Sequence, residues 1–272
     1  MGIPYYHVDV FTSELFRGNP AGVCVLPAFL ADEVMQKIAA ENRHSETAFV
    51  VARADGDFDL RWFTPTVEDD LCGHATLASA FVLSLRKHRA WPVRFHTCSG
   101  LLTVARLSMD GDGGEPNRGS FELDFPARPP QPCQTPAGLL PALGLTAGLV
   151  MKSRDYMVVV DDAEQVRALA PDIAALANVD IPNGGAIVTA AGEGEVDYVC
   201  RLFAPLEGID EDPATGSIHC TLAPYWAARL GKDRLHAQQL SARGGTMRCT
   251  NLGDRVAISG MACLYLHGMI EV

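Results

Sequence analysis

Apolar and polar residues alternate with a period of two along residues 4–10, Phe58–Phe63 and residues 197–203, the pattern of half-buried strands. Residues 21–26, 48–52, 156–160 and 185–190 are short apolar runs and read as buried strands. Further strands are expected at 93–105, 120–125, 235–241, 247–249, 254–259 and 262–266. Residues 31–41 have helical spacing, with Val34, Ile38 and Ala39 on one face, and residues 163–169 and 172–177 read as helical too. Gly73–Leu85 and residues 217–230 break the amphipathic rule. They are apolar almost all round, so each is expected as a helix that a curved sheet must enclose.

What precedes these two helices is also alike. Residues 63–78 read F-T-P-T-V-E-D-D-L-C-G-H-A-T-L-A, and residues 203–223 read F-A-P-L-E-G-I-D-E-D-P-A-T-G-S-I-H-C-T-L-A. Both give Phe-x-Pro, acids, Gly and then His-x-Thr-Leu-Ala, and that order argues for duplication. The expected fold class is therefore α+β: two pseudo-symmetric domains, each a β-barrel-like sheet around a central apolar helix. The boundaries fall at 1–125 for the first domain and 137–263 for the second. The proline-dense segment 126–136 is the expected linker. Clefts between domains are favoured ligand sites.

At 272 residues the chain is long enough for two cores, and 48% hydrophobic with 20% charged residues is a globular composition. A net charge of -11 argues against a sequence-independent nucleic-acid binder, while a local pocket can still take a small anion. No signal-peptide pattern and no membrane-spanning apolar run are visible. The eight cysteines are scattered and include no C-x-x-C, which fits reduced thiols and a cytoplasmic location.

The candidate chemistry gathers at the two helix starts. Gly73 and His74 in one half, and Thr215, Gly216 and Ser217 in the other, would offer backbone N–H groups and a positive dipole end to a carboxylate or phosphate. The plain alternative is that Thr215 or Ser217 only caps its helix. Glu46 stands just ahead of an apolar strand, where desolvation could tune a carboxylate for acid/base work; a solvated strand-end glutamate reads equally well. Asp212 precedes Pro213 and could cap the turn or orient a ligand, with Asp69 and Asp70 in the corresponding place of the first half. Cys72 at a helix start is the most reactive thiol expected, but the second half has no thiol at the matching position. The spacings Cys72-x-His74 and His219-Cys220 fit no usual zinc pattern, so no metal is expected, and nucleotide-binding motifs are absent.

Six segments taken together resemble the phenazine-biosynthesis PhzF-like family, related in fold to diaminopimelate epimerase and proline racemase. They are G-N-P-A-G at 18–22, S-E-T-A-F at 45–49, F-T-P at 63–65, C-G-H-A-T-L-A at 72–78, D-P-A-T-G-S at 212–217 and A-R-G-G at 242–245. They follow family order over nearly the whole chain. The resemblance implies a site between two domains without metal or organic cofactor, and a last strand, 264–272, that crosses back to the first domain. It implies Glu46 as the acid/base, with His74 and Asp212 beside it, and substrate binding by Asn19, Gly73, Thr215, Gly216 and Ser217. The implied reaction is a proton shift on a small carboxylate-bearing substrate like trans-2,3-dihydro-3-hydroxyanthranilate. A homodimer is compatible with the family, and no sequence feature demands one. Two other readings stand beside it: an amino-acid epimerase or dehydratase using Cys72, and a non-catalytic small-molecule binding protein.

Overall fold

Strands dominate the computed structural model, which describes residues 2–88, 90–110, 117–181 and 184–272. The loop read at residues 110–116 lies, from 111 onward, outside the described residues. Contacts divide the chain into two compact units, Met1–Phe125 with Ile258–Val272, and Pro126–Ala257. Residues 126–136 fall in the second unit, where Gln131 and Pro132 pair with Lys152 and Met151.

In the first unit, Gly2–Val10 runs antiparallel to Asn19–Leu26, which lies parallel to Glu46–Ala52. That strand returns antiparallel as Phe58–Phe63, next to parallel Val93–Thr97 and then antiparallel Gly100–Asp110 and Arg118–Pro126. Arg255–Glu271 pairs with both Arg118–Pro126 and Gly2–Val10, so the sheet returns on itself as a barrel. Alternation decides which face is inward. In Arg118–Pro126, Phe121, Leu123 and Phe125 are fully buried while Glu122 and Asp124 are not.

Inside that barrel runs Gly73–Leu85, with every residue from Gly73 to Ser84 buried. Its hydroxyls do not break the apolar surroundings, because Thr76 and Ser79 donate to the carbonyls of Cys72 and Ala75, one turn back. A second cluster, including Met35, Ile38, Phe49 and Phe63, packs the amphipathic helix Asp32–Asn42 against the outer face.

The second unit repeats the strand grammar. Tyr156–Val159 lies parallel to Ala186–Ala191, which returns antiparallel as Tyr198–Ala204; then follow parallel Arg234–Gln239 and antiparallel Gly245–Asn251. Its helix, His219–Leu230, differs from the expectation of full enclosure: Ala228, Arg229 and Leu230 are exposed. Pro224 sits inside this helix and cannot donate to the Cys220 carbonyl; the Arg128 N–H takes that acceptor at 2.8 Å. Three short helices cover the apolar cluster around Leu139, Val166 and Leu176, and two of them, Ala163–Arg167 and Ile173–Leu176, are capped by Asp162 and Asp172.

One expectation fails at the end of the chain. Residues 254–259 and 262–266 are not two strands but parts of one, Arg255–Glu271. Gly260 lets the strand pass beneath Phe11, where a Cβ would stand 2.5 Å from the ring. The Phe11 N–H donates to the Met261 carbonyl at 2.8 Å. Among the described residues, no helix is long and apolar enough to cross a membrane.

Candidate active site

Four of the sequence-predicted residues meet in the first unit. Glu46 opens its strand opposite Ala21, one residue past Pro20 and two past Asn19. The strand's apolar run carries Glu46 into the core, where it is 7% exposed. This overturns the solvated strand-end reading. Gly73 begins the helix and His74 follows, placing the imidazole beside the same strand, 3% exposed.

The hydrogen bonds fix which nitrogen of His74 carries the proton. Ser45 Oγ donates to Asn19 Oδ1 at 3.2 Å, so the Asn19 amide turns its Nδ2 to His74 Nδ1, 3.2 Å away. An amide nitrogen can only donate, hence Nδ1 accepts and the ring proton sits on Nε2. Nε2 stands 3.1 Å from Glu46 Oε2. Burial, with a smaller push from His44, holds the imidazole neutral by lowering its pKa to about 3. The result is a neutral imidazole beside a buried carboxylate, with no hydrogen bond between His74 Nε2 and Glu46 Oε2. Cys72 Sγ also reaches His74 Nδ1, at 3.5 Å. Glu46, Cys72 and His74 offer ligand atoms that all lie within 4.8 Å of one another. Local spacing hides this grouping, because its third member comes from an earlier strand.

The remaining predicted residues belong to the second unit. Thr215 Oγ1 donates to Asp212 Oδ2, which answers the question of whether Asp212 caps the turn. Thr215 does not offer its amide to a ligand: its N–H donates to Gln239 Oε1 at 2.8 Å. Gln239, wholly buried, also donates from Nε2 to the Asp212 carbonyl at 2.7 Å and to Thr215 Oγ1 at 3.2 Å. Ser241 donates to the Pro213 carbonyl at 2.6 Å. Gly216 and Ser217 then form a turn whose carbonyls accept from His219 and Cys220, and the helix starts at His219 rather than at Thr215. No side chain of the preceding residue caps either helix start.

Sequence reasoning missed Gln239. Its signal was faint: a polar residue in the phase of a strand where Leu235 and Ala237 point inward. His219 takes no part in such a site. Its Nδ1 lies 2.7 Å from the Tyr198 hydroxyl, deep in the core, and burial lowers its pKa to about 3. Burial pushes the Cys220 thiol up to about 12, so it is inert as a nucleophile.

Comparison with known proteins gives the fold and site a class. A hydroxyproline epimerase from Agrobacterium vitis aligns over 99% of this chain and 91% of its own, with a TM-score of 0.64 at 12% identity, and shares the fold alone. That fold is the diaminopimelate epimerase-like one expected above. An uncharacterized isomerase of Pseudomonas aeruginosa is 52% identical, over 100% of both chains. With these relatives the protein is an isomerase. A crystal structure of a PhzF-family phenazine biosynthesis protein from Enterococcus faecalis covers 100% of both chains at 42% identity, with a TM-score of 0.91. The sequence model described as phenazine biosynthesis-like protein matches residues 8–268, and this chain belongs to that family.

Proposed function

We propose that the protein is a cofactor-independent isomerase that shifts a proton along a small carboxylate-bearing substrate of the trans-2,3-dihydro-3-hydroxyanthranilate type. The observation that carries this reading is the buried pair, Glu46 Oε2 with His74 Nε2 at 3.1 Å. A carboxylate removed from water is a stronger base toward carbon than one at the surface. The neutral His74 imidazole beside it does not compete for the proton.

In this reading Glu46 takes a proton from one carbon, the double bond moves, and the same carboxyl returns the proton to another carbon on the same face. One group suffices for both transfers. Asn19 holds the His74 tautomer and borders the substrate. Gly73 gives a backbone amide to its carboxylate.

A second reading makes Cys72 the base, and its 3.5 Å approach to His74 Nδ1 favours it. Against it stands the lack of a thiol at the matching turn, Ala214 to Ser217. Solvent deuterium incorporation into dihydro-hydroxyanthranilate and a panel of amino acids separates the readings. Glu46→Gln keeps the shape and is expected to lose roughly 10²-fold or more of the exchange rate. Exchange that survives in Glu46→Gln but disappears in Cys72→Ala moves the base to the thiol. Tight binding without any exchange makes this a binding protein.

A further inference from the structure

We propose that the second unit carries a binding site of its own for a small apolar monocarboxylate, with Arg229 taking the carboxylate and a proline-walled cavity taking the apolar body. Every residue of the site belongs to Pro126–Ala257, so it is independent of Glu46 and of the reaction proposed above.

The cavity measures about 540 Å³, an ordinary size for a small-molecule site. Pro129, Pro130 and Pro224 form much of its wall, and Leu149 and Met151 add to the apolar lining. Prolines bring no N–H, so this wall is apolar without orphaned backbone donors. It is also tied down on both sides. The Arg128 N–H donates at 2.8 Å to the Cys220 carbonyl that Pro224 leaves open, and Gln131 and Pro132 pair with Lys152 and Met151. Residues 129 and 130 are held between these two anchors, so the cavity stands ready-made. Its apolar lining is open to solvent: Leu149 is 54% exposed, and the helix end from Ala228 to Leu230 is uncovered.

Charge decides which ligand fits. Among the described residues, Arg229 is the one charged side chain that lines the cavity, and no acid does. Arg61, Arg94 and Arg201 each pair with a carboxylate, whereas Arg229 has no acidic partner among the described residues. Its Nη1 donates to the Tyr225 hydroxyl at 2.9 Å, and the guanidinium lies 5.7 Å from the centre of the Trp226 ring. Both contacts orient it and leave donors for a carboxylate, whose two oxygens match the guanidinium fork. An arginine in the last turn also offsets the helix dipole, but that role calls for no apolar cavity beside the charge. A cation at the edge of an apolar hollow fits a molecule with one acid group and a hydrocarbon body.

Octanoate is the probe, titrated by calorimetry into the unaltered chain, with 1-octanol as the uncharged control. One octanoate per chain is expected to bind at low-millimolar concentration, and 1-octanol to bind roughly fivefold more weakly. Arg229→Gln should weaken octanoate by the same factor, roughly fivefold, and leave 1-octanol unchanged. Ala228→Phe puts bulk into the cavity from an exposed helix position, so the chain should keep its urea midpoint and lose octanoate binding. No saturable binding at millimolar octanoate, equal affinity for acid and alcohol, or binding that both variants leave intact would overturn the proposal. So would a dimer, seen by light scattering, that Ala228→Phe splits and octanoate does not, because a second copy of the chain would then be what covers the cavity.

Discussion

The two units use one strand order and differ at the place where chemistry is expected. Thr47 pairs with Phe63 in the first, and Ala186 pairs with Phe203 in the second. The residues just before these, Glu46 and Gly185, therefore occupy the same station. One carries a carboxylate into the core. The other has no room for any side chain, since a Cβ on Gly185 would sit 2.7 Å from the Phe203 carbonyl oxygen. The histidines diverge in step: His74 faces Glu46, and His219 faces the Tyr198 hydroxyl. A duplicated scaffold thus keeps its apolar helix in both copies and spends its buried polar groups differently. In one they gather as Asn19, Glu46 and His74, in the other they knit the core.

Acid is the strongest way to test that contrast. Both histidines have folded pKa values of about 3 because burial disfavours the cation. Unfolded histidine binds a proton near its ordinary value of about 6.5, so stability is full above that pH and falls as pH drops toward 3. The loss is expected to be on the order of a few kcal/mol, read from urea unfolding at pH 7 and pH 4.5. His219→Gln and His74→Gln should each flatten the loss, but only His74→Gln should also slow deuterium exchange. If His219→Gln slows exchange as much, the division of labour between the two copies is wrong.

Gly185→Ala should come next, at about 1–3 kcal/mol of destabilisation from overpacking, with the residual folded protein exchanging at the wild-type rate per molecule. A neutral result would show that the strand can move away from Phe203 and that the station is not closed. An effect of similar size belongs to Tyr198→Phe. It removes the hydroxyl beside His219 Nδ1 and should cost about 1–3 kcal/mol without altering the pH profile of exchange, since its partners His219 and Cys249 lie in the core.

Much of the architecture was legible in the chain because its signals are local. Two all-apolar helices and the ordered F-x-P, acid, Gly, H-x-T-L-A series mark the repeat without any knowledge of contacts. Register supports the pairing of Asp69 with Asp212, since Trp62 pairs with Asp69 and Leu202 with Asp212. The burial of Glu46 was not legible, because it depends on the parallel pairing of Ala21 with Glu46 and on the helix packed against that strand. Nor was the Gln239 clamp, which joins positions 212, 215 and 239 through bonds that no sequence period records. The two-residue strands Glu68–Asp69 and Gln131–Pro132 lie in acidic and proline-rich stretches that carry no strand propensity, and pairing alone creates them.

The long last strand bears on the order in which the protein can be made. Gly2 pairs with Glu271 and Val10 with Ala262, so the strand Gly2–Val10 waits for Arg255–Glu271 before the first unit can close. The second unit, Pro126–Ala257, is continuous and needs no such wait. Ribosomal synthesis runs slowly beside the folding of a domain of this size, which makes the downstream half the first to be finished. Until Arg255–Glu271 has been made, the strand Gly2–Val10 presents an unpaired edge, and that interval is when the protein is most open to wrong pairing.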